Sequence, residues 1–172
     1  VLTEKSADSI VRVIETHLEK VRPIREGYYV EQLLLWAPGR IARMQEDATA
    51  LYSPALFEEY ILEADRKIAS RFDYAVLHLH STSLFLLEIL LRCPEFSCIQ
   101  INKDVNGLSI EEMLPYFRQV QDHDRPLLIR GKFNVADIDI IKTHLDPRGL
   151  MLQLVSDDIT GSEEMLSYMR GR

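Results

Sequence analysis

The sequence predicts an α/β fold in which about five parallel strands alternate with helices. Two observations lead to this prediction. Short apolar segments alternate with amphipathic segments from residue 39 to the end of the chain. The apolar segments, such as VLHL and CIQI, are continuous rather than alternating. Continuous apolar strands are typical of a parallel sheet that is covered by helices.

Length and composition fit one globular domain spanning residues 1–172. The chain has 172 residues, of which 47% are hydrophobic and 27% are charged. This is the composition of an ordinary soluble protein. Two architectures fit the alternation of strands and helices, namely an open doubly wound sheet and part of a (β/α)8 barrel. A complete barrel needs roughly 250 residues, so this length holds about five of its eight units.

The first part of the chain contains one clear helix and one ambiguous segment. Apolar side chains recur at helical spacing across residues 6–21, which predicts a helix there. The segment from Tyr28 to Pro38 fits either a strand or a short buried helix, because its periodicity does not distinguish the two. Residues 40–47 then predict a short strand that ends in acidic residues.

Strands and helices alternate through the rest of the chain. Ser53 followed by Pro54 is typical of a helix N-cap and first helical residue, which predicts a helix over residues 55–72. Capping boxes at Ser109–Glu112 and Thr160–Glu163 predict the starts of two later helices. Four further strand–helix pairs are expected, with strands at 74–80, 98–102, 126–131 and 149–156 and helices at 84–92, 110–121, 135–145 and 162–170.

Charge and cysteine usage exclude several classes of protein. The formal net charge of −7 disfavours binding to nucleic acid or to an anionic membrane. Cys93 and Cys98 have neither the number nor the spacing of a disulfide framework or a CxxC zinc pair, so we expect two reduced thiols. The sequence contains no apolar run long enough for a transmembrane helix and no signal peptide. These features predict a cytoplasmic protein.

Polar residues follow every predicted strand, where a parallel α/β fold builds its active site. Polar groups are also expected wherever a strand reaches water, so the alternative for each residue in this set is a solvated loop group. Asp157 and Asp158 are predicted to serve as a cap and as surface residues. The strand-end residues are Glu46, Asp47, His78, His80, Asn102, Asp104, Arg130, Lys132, Ser156, Asp157 and Asp158.

His78 and His80 are the sharpest local feature. Residues two apart on a strand project to the same face, so both imidazoles can reach one ligand or one metal ion. The alternative is a pair of buried histidines that hydrogen-bond to carbonyl groups or to the serines and threonine that follow. Zinc needs more than two protein ligands. The candidates for a third ligand are Glu46, Asp47 and Asp104, whereas Cys98 begins its strand and is expected at the far end.

We therefore predict a site with distinct roles for two groups of residues. His78, His80 and Glu46 are the candidate catalytic residues, and the two histidines are the candidate metal ligands. Arg130 and Lys132 can hold a carboxylate or phosphate, since guanidinium groups pair bidentately with such anions. The candidate substrate-binding residues are Asp47, Asn102, Asp104, Arg130 and Lys132.

Three motifs resemble one known superfamily. They are the acidic pair Glu46-Asp47, the helix entry Tyr52-Ser53-Pro54 followed by Phe57, and His78-x-His80. In this order the motifs are similar to those of the uroporphyrinogen decarboxylase and cobamide methyltransferase superfamily. The resemblance runs from about Gly39 to the C-terminus and implies the C-terminal portion of a (β/α)8 TIM barrel.

The resemblance implies two alternative activities. The first is methyl transfer from a corrinoid, carried by a partner protein, to a thiol or other small acceptor that zinc activates. The second is metal-free decarboxylation by a relative of uroporphyrinogen decarboxylase. His80 stands where the zinc branch has a cysteine, and the predicted strand at 149–156 has no cysteine. Methyl transfer is the preferred prediction, because a pair of histidines suits metal or thiol chemistry.

A non-catalytic role is the remaining alternative. An incomplete barrel has two open strand edges, which normally must be paired or covered. This predicts a homo-oligomer or a companion that supplies the missing N-terminal half of the barrel. Such a protein would bind a ligand or a partner rather than catalyse a reaction.

Overall fold

The protein is described by a computed structural model that covers residues 2–45 and 47–171. The strands are β1 (Tyr28–Val30), β2 (Leu35–Ala37), β3 (Ile41–Gln45), β4 (Tyr74–His80), β5 (Cys98–Lys103), β6 (Leu127–Gly131) and β7 (Leu150–Leu154). The α-helices are α1 (Leu2–Lys20), α2 (Pro54–Tyr60), α3 (Leu62–Ala69), α4 (Leu87–Leu91), α5 (Ile110–Asp122), α6 (Val135–His144) and α7 (Ile159–Met169). Short 3-10 helices span Glu31–Leu33, Asp47–Leu51 and Ser81–Leu86.

The predicted α/β class is confirmed, with a five-stranded parallel sheet flanked by helices. The strand order is β3-β4-β5-β6-β7, so strands that are consecutive in the sequence are also neighbours in the sheet. A doubly wound sheet reverses its strand order part of the way along the chain, and this sheet does not. β3 and β7 are the two edge strands of the described sheet.

One face of the sheet, which we call the outer face, packs against helices and carries the main hydrophobic core. Ala75, Leu77 and Leu79 alternate along β4 and are fully buried. They belong to the same apolar cluster as side chains from helices α1 to α6, including Phe57 and Phe117. The helices therefore share one side of the sheet, and the opposite side is left to form a separate inner face.

The inner face is apolar at one end only. Val76, Cys98 and Leu128 form a second, smaller cluster there with Leu33 and Ala37. The cluster is covered by the antiparallel hairpin of β1 and β2, which resolves the ambiguous segment between residues 28 and 38. Toward the carboxyl ends of the strands the inner face is polar, and this polar end holds the candidate site.

The hairpin explains why the periodicity of that segment was uninformative. A 3-10 turn separates the two short strands, and Leu34 adopts a left-handed backbone with φ of 53°. A segment that changes conformation every three residues cannot show a helical or strand period. The indole of Trp36 donates a hydrogen bond to the Ile24 carbonyl oxygen at 2.8 Å, which fastens the hairpin to the preceding turn.

Two of the three predicted helix caps are confirmed. The Ser53 side chain accepts a hydrogen bond from the Leu56 amide, and Ser109 with Glu112 forms a complete capping box. The predicted box at Thr160–Glu163 is wrong. Asp158 is the N-cap, and helix α7 begins at Ile159, three residues before the predicted start, because the Asp158 carboxylate already accepts the Gly161 N–H at 2.7 Å.

Two predicted helices are divided. The predicted helix over 55–72 is interrupted at Ile61, whose φ of −113° separates α2 from α3. The predicted helix over 84–92 is a 3-10 helix over Ser81–Leu86 before it becomes α4.

Among the described residues, no helix combines the length and hydropathy that crossing a membrane requires.

Candidate functional site

A cavity of about 350 Å³ lies over the polar end of the inner face. It is walled by side chains of four neighbouring strands, β3 to β6, together with residues of the turn between β1 and β2. The parallel register brings together strand positions that are far apart in sequence, since Gln45 pairs with His78, His78 with Gln100, and Asn102 with Arg130. The lining residues are Gln32, Leu33, Arg43, Gln45, His78, His80, Gln100, Asn102 and Arg130.

Three potential ligand atoms converge at the mouth of this cavity. His78 Nε2 lies 3.2 Å from His80 Nε2. Asp47 Oδ1 lies 3.2 Å from His80 Nε2 and 4.0 Å from His78 Nε2. Two atoms bound to one zinc ion at about 2.0–2.2 Å in tetrahedral geometry are about 3.3–3.6 Å apart. Two sides of the triangle formed by Asp47, His78 and His80 are close to this spacing, and the third side, between Asp47 and His78, is longer at 4.0 Å.

The hydrogen bonds on the far sides of both rings fix their tautomers. His80 Nδ1 is 2.7 Å from Asp104 Oδ1, and His78 Nδ1 is 2.9 Å from Gln100 Oε1. A carboxylate or amide oxygen only accepts, so each ring donates from Nδ1 and keeps a lone pair on Nε2. Metal-ligating histidines commonly donate their other nitrogen to such an acceptor. Two lone pairs that face one carboxylate oxygen need a cation between them, which can be a metal ion or a proton on one of the rings.

Burial keeps His78 in the neutral form that binds metals. Its side chain is 7% exposed, compared with 32% for His80 and 54% for Asp47. Loss of hydration lowers the pKa of His78, although its hydrogen bond to Gln100 opposes the shift. The folded protein therefore holds this imidazole uncharged near neutral pH.

Asp104 anchors the second histidine. Its carboxylate accepts hydrogen bonds from His80 Nδ1, from the Ser81 amide at 2.8 Å and from the Ser81 hydroxyl at 2.7 Å, and Asn102 donates to it as well. Burial raises the pKa of Asp104, but the hydrogen bonds from Asn102, His80 and Ser81 outweigh burial and lower it to about 2. Asp104 therefore orients His80 and does not join the ligand triangle.

We expect Asp104→Ala to weaken zinc binding by about 10–100-fold, because loss of an outer partner of a ligating histidine has that effect. The measurement is a competition titration against a chromophoric zinc chelator. Asp122→Ala is the matched control, since Asp122 is exposed at the end of α5, outside the cavity. Equal zinc affinity in the two variants, both folded by circular dichroism, would contradict the anchoring role of Asp104.

Positive charge and unpaired donors occupy the floor of the cavity. Arg43 projects from β3 and Arg130 from β6, and Arg130 donates to Asn102 Oδ1 at 3.2 Å. Burial lowers the pKa of Arg43, and the nearby charge of Arg130 lowers it further, while Asp47 acts in the opposite direction. Arg43 Nε and Gln100 Nε2 are buried and find no hydrogen-bond partner among residues 2–45 and 47–171.

The other predicted residues are distributed around this site. Asn102 bridges Arg130 and Asp104. Lys132 lies beside the cavity rather than in its lining, and its amine binds the exposed Asp157 carboxylate at 2.6 Å. Glu46 falls outside the described residues.

Two other predictions about individual side chains agree with the structure. Cys98 lies at the opposite end of its strand from the polar site, in the apolar cluster. Burial raises the pKa of its thiol to about 12, which makes it a poor metal ligand. Asp158 caps α7, as expected. The remaining histidines are exposed: His17, His123 and His144.

Sequence reasoning missed Arg43, Gln45 and Gln100. Arg43 and Gln100 lie within strands, and Gln45 lies inside the strand that was predicted over residues 40–47, so inspection of the predicted strand exits does not find them. The signal that identifies them is alternation, because each shares the inner face with the next polar residue two positions along. Arg43 is followed by Gln45, His78 by His80, and Gln100 by Asn102.

Comparison with known proteins adds no further assignment. The chain matches no protein-family model, and neither a curated protein nor a solved structure matches it. The resemblance to the uroporphyrinogen decarboxylase and cobamide methyltransferase superfamily therefore stays a prediction from the motifs.

Proposed function

We propose that this chain binds one zinc ion through Asp47, His78 and His80. The convergence of His78 Nε2, His80 Nε2 and Asp47 Oδ1 within 4.0 Å of one another supports this proposal. Two neutral imidazoles and one carboxylate form a common zinc ligand set, and three protein ligands leave a fourth position for a substrate or water. A site of this type is catalytic in character rather than structural.

We further propose that the chain is the C-terminal portion of a (β/α)8 barrel of the uroporphyrinogen decarboxylase and cobamide methyltransferase type. The sequential strand order, the helices on one face and the polar carboxyl end of the other face support this assignment. The edges of β3 and β7 are where the remaining strands, or a second copy of the chain, would pair.

The proposed reaction is methyl transfer to a small thiol or related acceptor from a corrinoid on a partner protein. Zinc held at this site would lower the pKa of a bound thiol and so generate the nucleophile near neutral pH. Asp104 and Gln100 hold His80 and His78 in the ligating tautomer. Arg130 lies in the same cavity and would anchor an anionic part of the acceptor.

The test is the metal content of the protein. We expect about one zinc ion per chain by elemental analysis after dialysis against trace zinc, and none in the His78→Ala, His80→Ala double variant. The matched control is His17→Ala, His123→Ala, which removes two exposed histidines outside the cavity and should keep the metal.

Equal zinc content in the two double variants would exclude the proposed centre. Absence of zinc from the unaltered protein would also exclude it and would favour the metal-free decarboxylase alternative. Circular dichroism of each variant shows whether the fold is retained, so that loss of metal is not mistaken for loss of structure.

A further inference from the structure

We propose that Arg43 and Arg130 form an oxyanion subsite that binds the carboxylate or phosphate group of a compact substrate. The inference names the substrate class of the site proposed above and rests on that proposal for the role of the bound anion. It does not rest on the proposal for the binding itself, because both arginines belong to the protein with or without a metal ion.

The two guanidinium groups approach one cavity from different strands. Arg43 lies on β3 and Arg130 on β6, three strands along the sheet, and both line the cavity that contains His78. Burial lowers the pKa of Arg43, Asp47 opposes the shift, and the charge of Arg130 lowers this pKa further. Like charges that are held together in a partly buried site are stabilised by an anion between them.

The charge of Asp47 acts on Arg43, but no described carboxylate is in direct contact with this pair. Neither Arg43 nor Arg130 makes a salt bridge with an acidic residue in the described part of the chain. The arginines that do form salt bridges there, such as Arg66 with Glu95 and Arg71 with Glu15, lie nearer the surface. Two arginines that line one cavity without a salt bridge fit a site for an external anion.

Unpaired hydrogen-bond donors give the second indication. Gln100 is fully buried, and its Nε2 finds no acceptor among the described residues. Arg43 Nε is also buried without an acceptor in that part of the chain. Buried donors in folded proteins are almost always paired, and an unpaired one calls for an explanation such as a bound ligand. Two donors and two positive charges together call for an oxyanion.

The charge and size of the cavity restrict the ligand. With a divalent cation at the histidines, two guanidinium groups and the metal outweigh the carboxylates of Asp47 and Asp104. A cavity of about 350 Å³ is at the small end of ligand sites. A short molecule fits, with an oxyanion at the arginines and its reacting group at Asp47, His78 and His80.

The test uses two simple anions on the whole chain. Binding of succinate and of inorganic phosphate is measured by isothermal titration calorimetry, once with zinc and once after removal of metal by a chelator. We expect saturable binding of at least one of them, weakened at least tenfold in Arg43→Met and in Arg130→Met. Preference for succinate identifies a carboxylate ligand, and preference for phosphate identifies a phosphate ligand.

Two further variants keep the result interpretable. Arg118→Met removes an exposed arginine outside the cavity and should bind the anion as the unaltered protein does. Arg43→Lys retains the charge but not the fork of donors, so its affinity should fall between those of Arg43→Met and the unaltered protein. Absence of saturable anion binding, or equal binding by Arg43→Met and Arg118→Met, would overturn the inference.

The same titrations separate this inference from the metal proposal. Anion binding that survives removal of metal and is lost in Arg43→Met supports the subsite even if the protein holds no zinc. Zinc binding with no anion affinity in either state overturns the subsite and leaves the metal proposal intact.

Discussion

Replacing Phe57 with alanine is expected to lower the free energy of unfolding by about 3–5 kcal/mol, the usual cost of deleting a buried aromatic ring. Phe57 is completely buried in the main core, although it lies on the short helix α2. The same helix follows the 3-10 turn that carries Asp47. We therefore expect the variant to lose zinc affinity as well as stability.

Urea denaturation followed by circular dichroism measures the change in stability. Leu56→Ala is the matched control, because Leu56 precedes Phe57 on the same helix but is 46% exposed. Its free energy of unfolding should change by no more than about 0.5 kcal/mol. A similar small loss for Phe57→Ala would show that the Phe57 ring is not buried in the main core.

Zinc is expected to stabilise the protein strongly near neutral pH and hardly at all in acid. At a free zinc concentration about 100 times the dissociation constant, the free energy of unfolding should rise by about 2.7 kcal/mol. Binding needs both imidazoles in the neutral form, so protons compete with the metal below the ordinary histidine pKa of about 6.5. At about pH 5, with the same free zinc, the gain should fall below about 1 kcal/mol.

The free energy of unfolding of the metal-free protein should also fall as the pH is lowered. Because burial lowers the pKa of His78 in the folded state, the unfolded chain takes up a proton at higher pH than the folded chain does. The contribution of His78 to stability is therefore complete above the unfolded pKa and is lost as pH falls through the folded one. Urea denaturation at several pH values with buffered zinc measures both effects. A zinc-dependent gain that persists in the His78→Ala, His80→Ala variant would assign it to another site.

Much of the fold could be predicted because it is determined by residues that are close together in the sequence. The continuous apolar run of β4 and the Ser53-Pro54 helix entry depend on neighbouring residues, and both were predicted correctly. The hairpin over residues 28–37 could not be predicted in this way. It is held by contacts with Val76 and Leu128 on the distant sheet, which no short window of sequence contains.

The site was predictable only in part, for a similar reason. Spacing alone places His78 and His80 on one face, and the structure brings their Nε2 atoms to 3.2 Å. Spacing does not decide which acid completes the triangle, because Asp47 and Asp104 both follow strands adjacent to β4. In the structure Asp104 contacts the far nitrogen of His80, whereas Asp47 faces both near nitrogens.

The three candidate ligand atoms lie on parts of the fold that are not held equally firmly, and this would affect how fast a metal ion binds and dissociates. His78 and His80 belong to β4, which is paired on both sides, whereas Asp47 is exposed and lies at the start of a 3-10 turn. For the proposed zinc ion, β4 would supply two firmly held ligands, and the exposed turn would supply the third through Asp47. The rate of zinc binding would then depend mainly on the two histidines, and the rate of zinc dissociation mainly on the contact with Asp47.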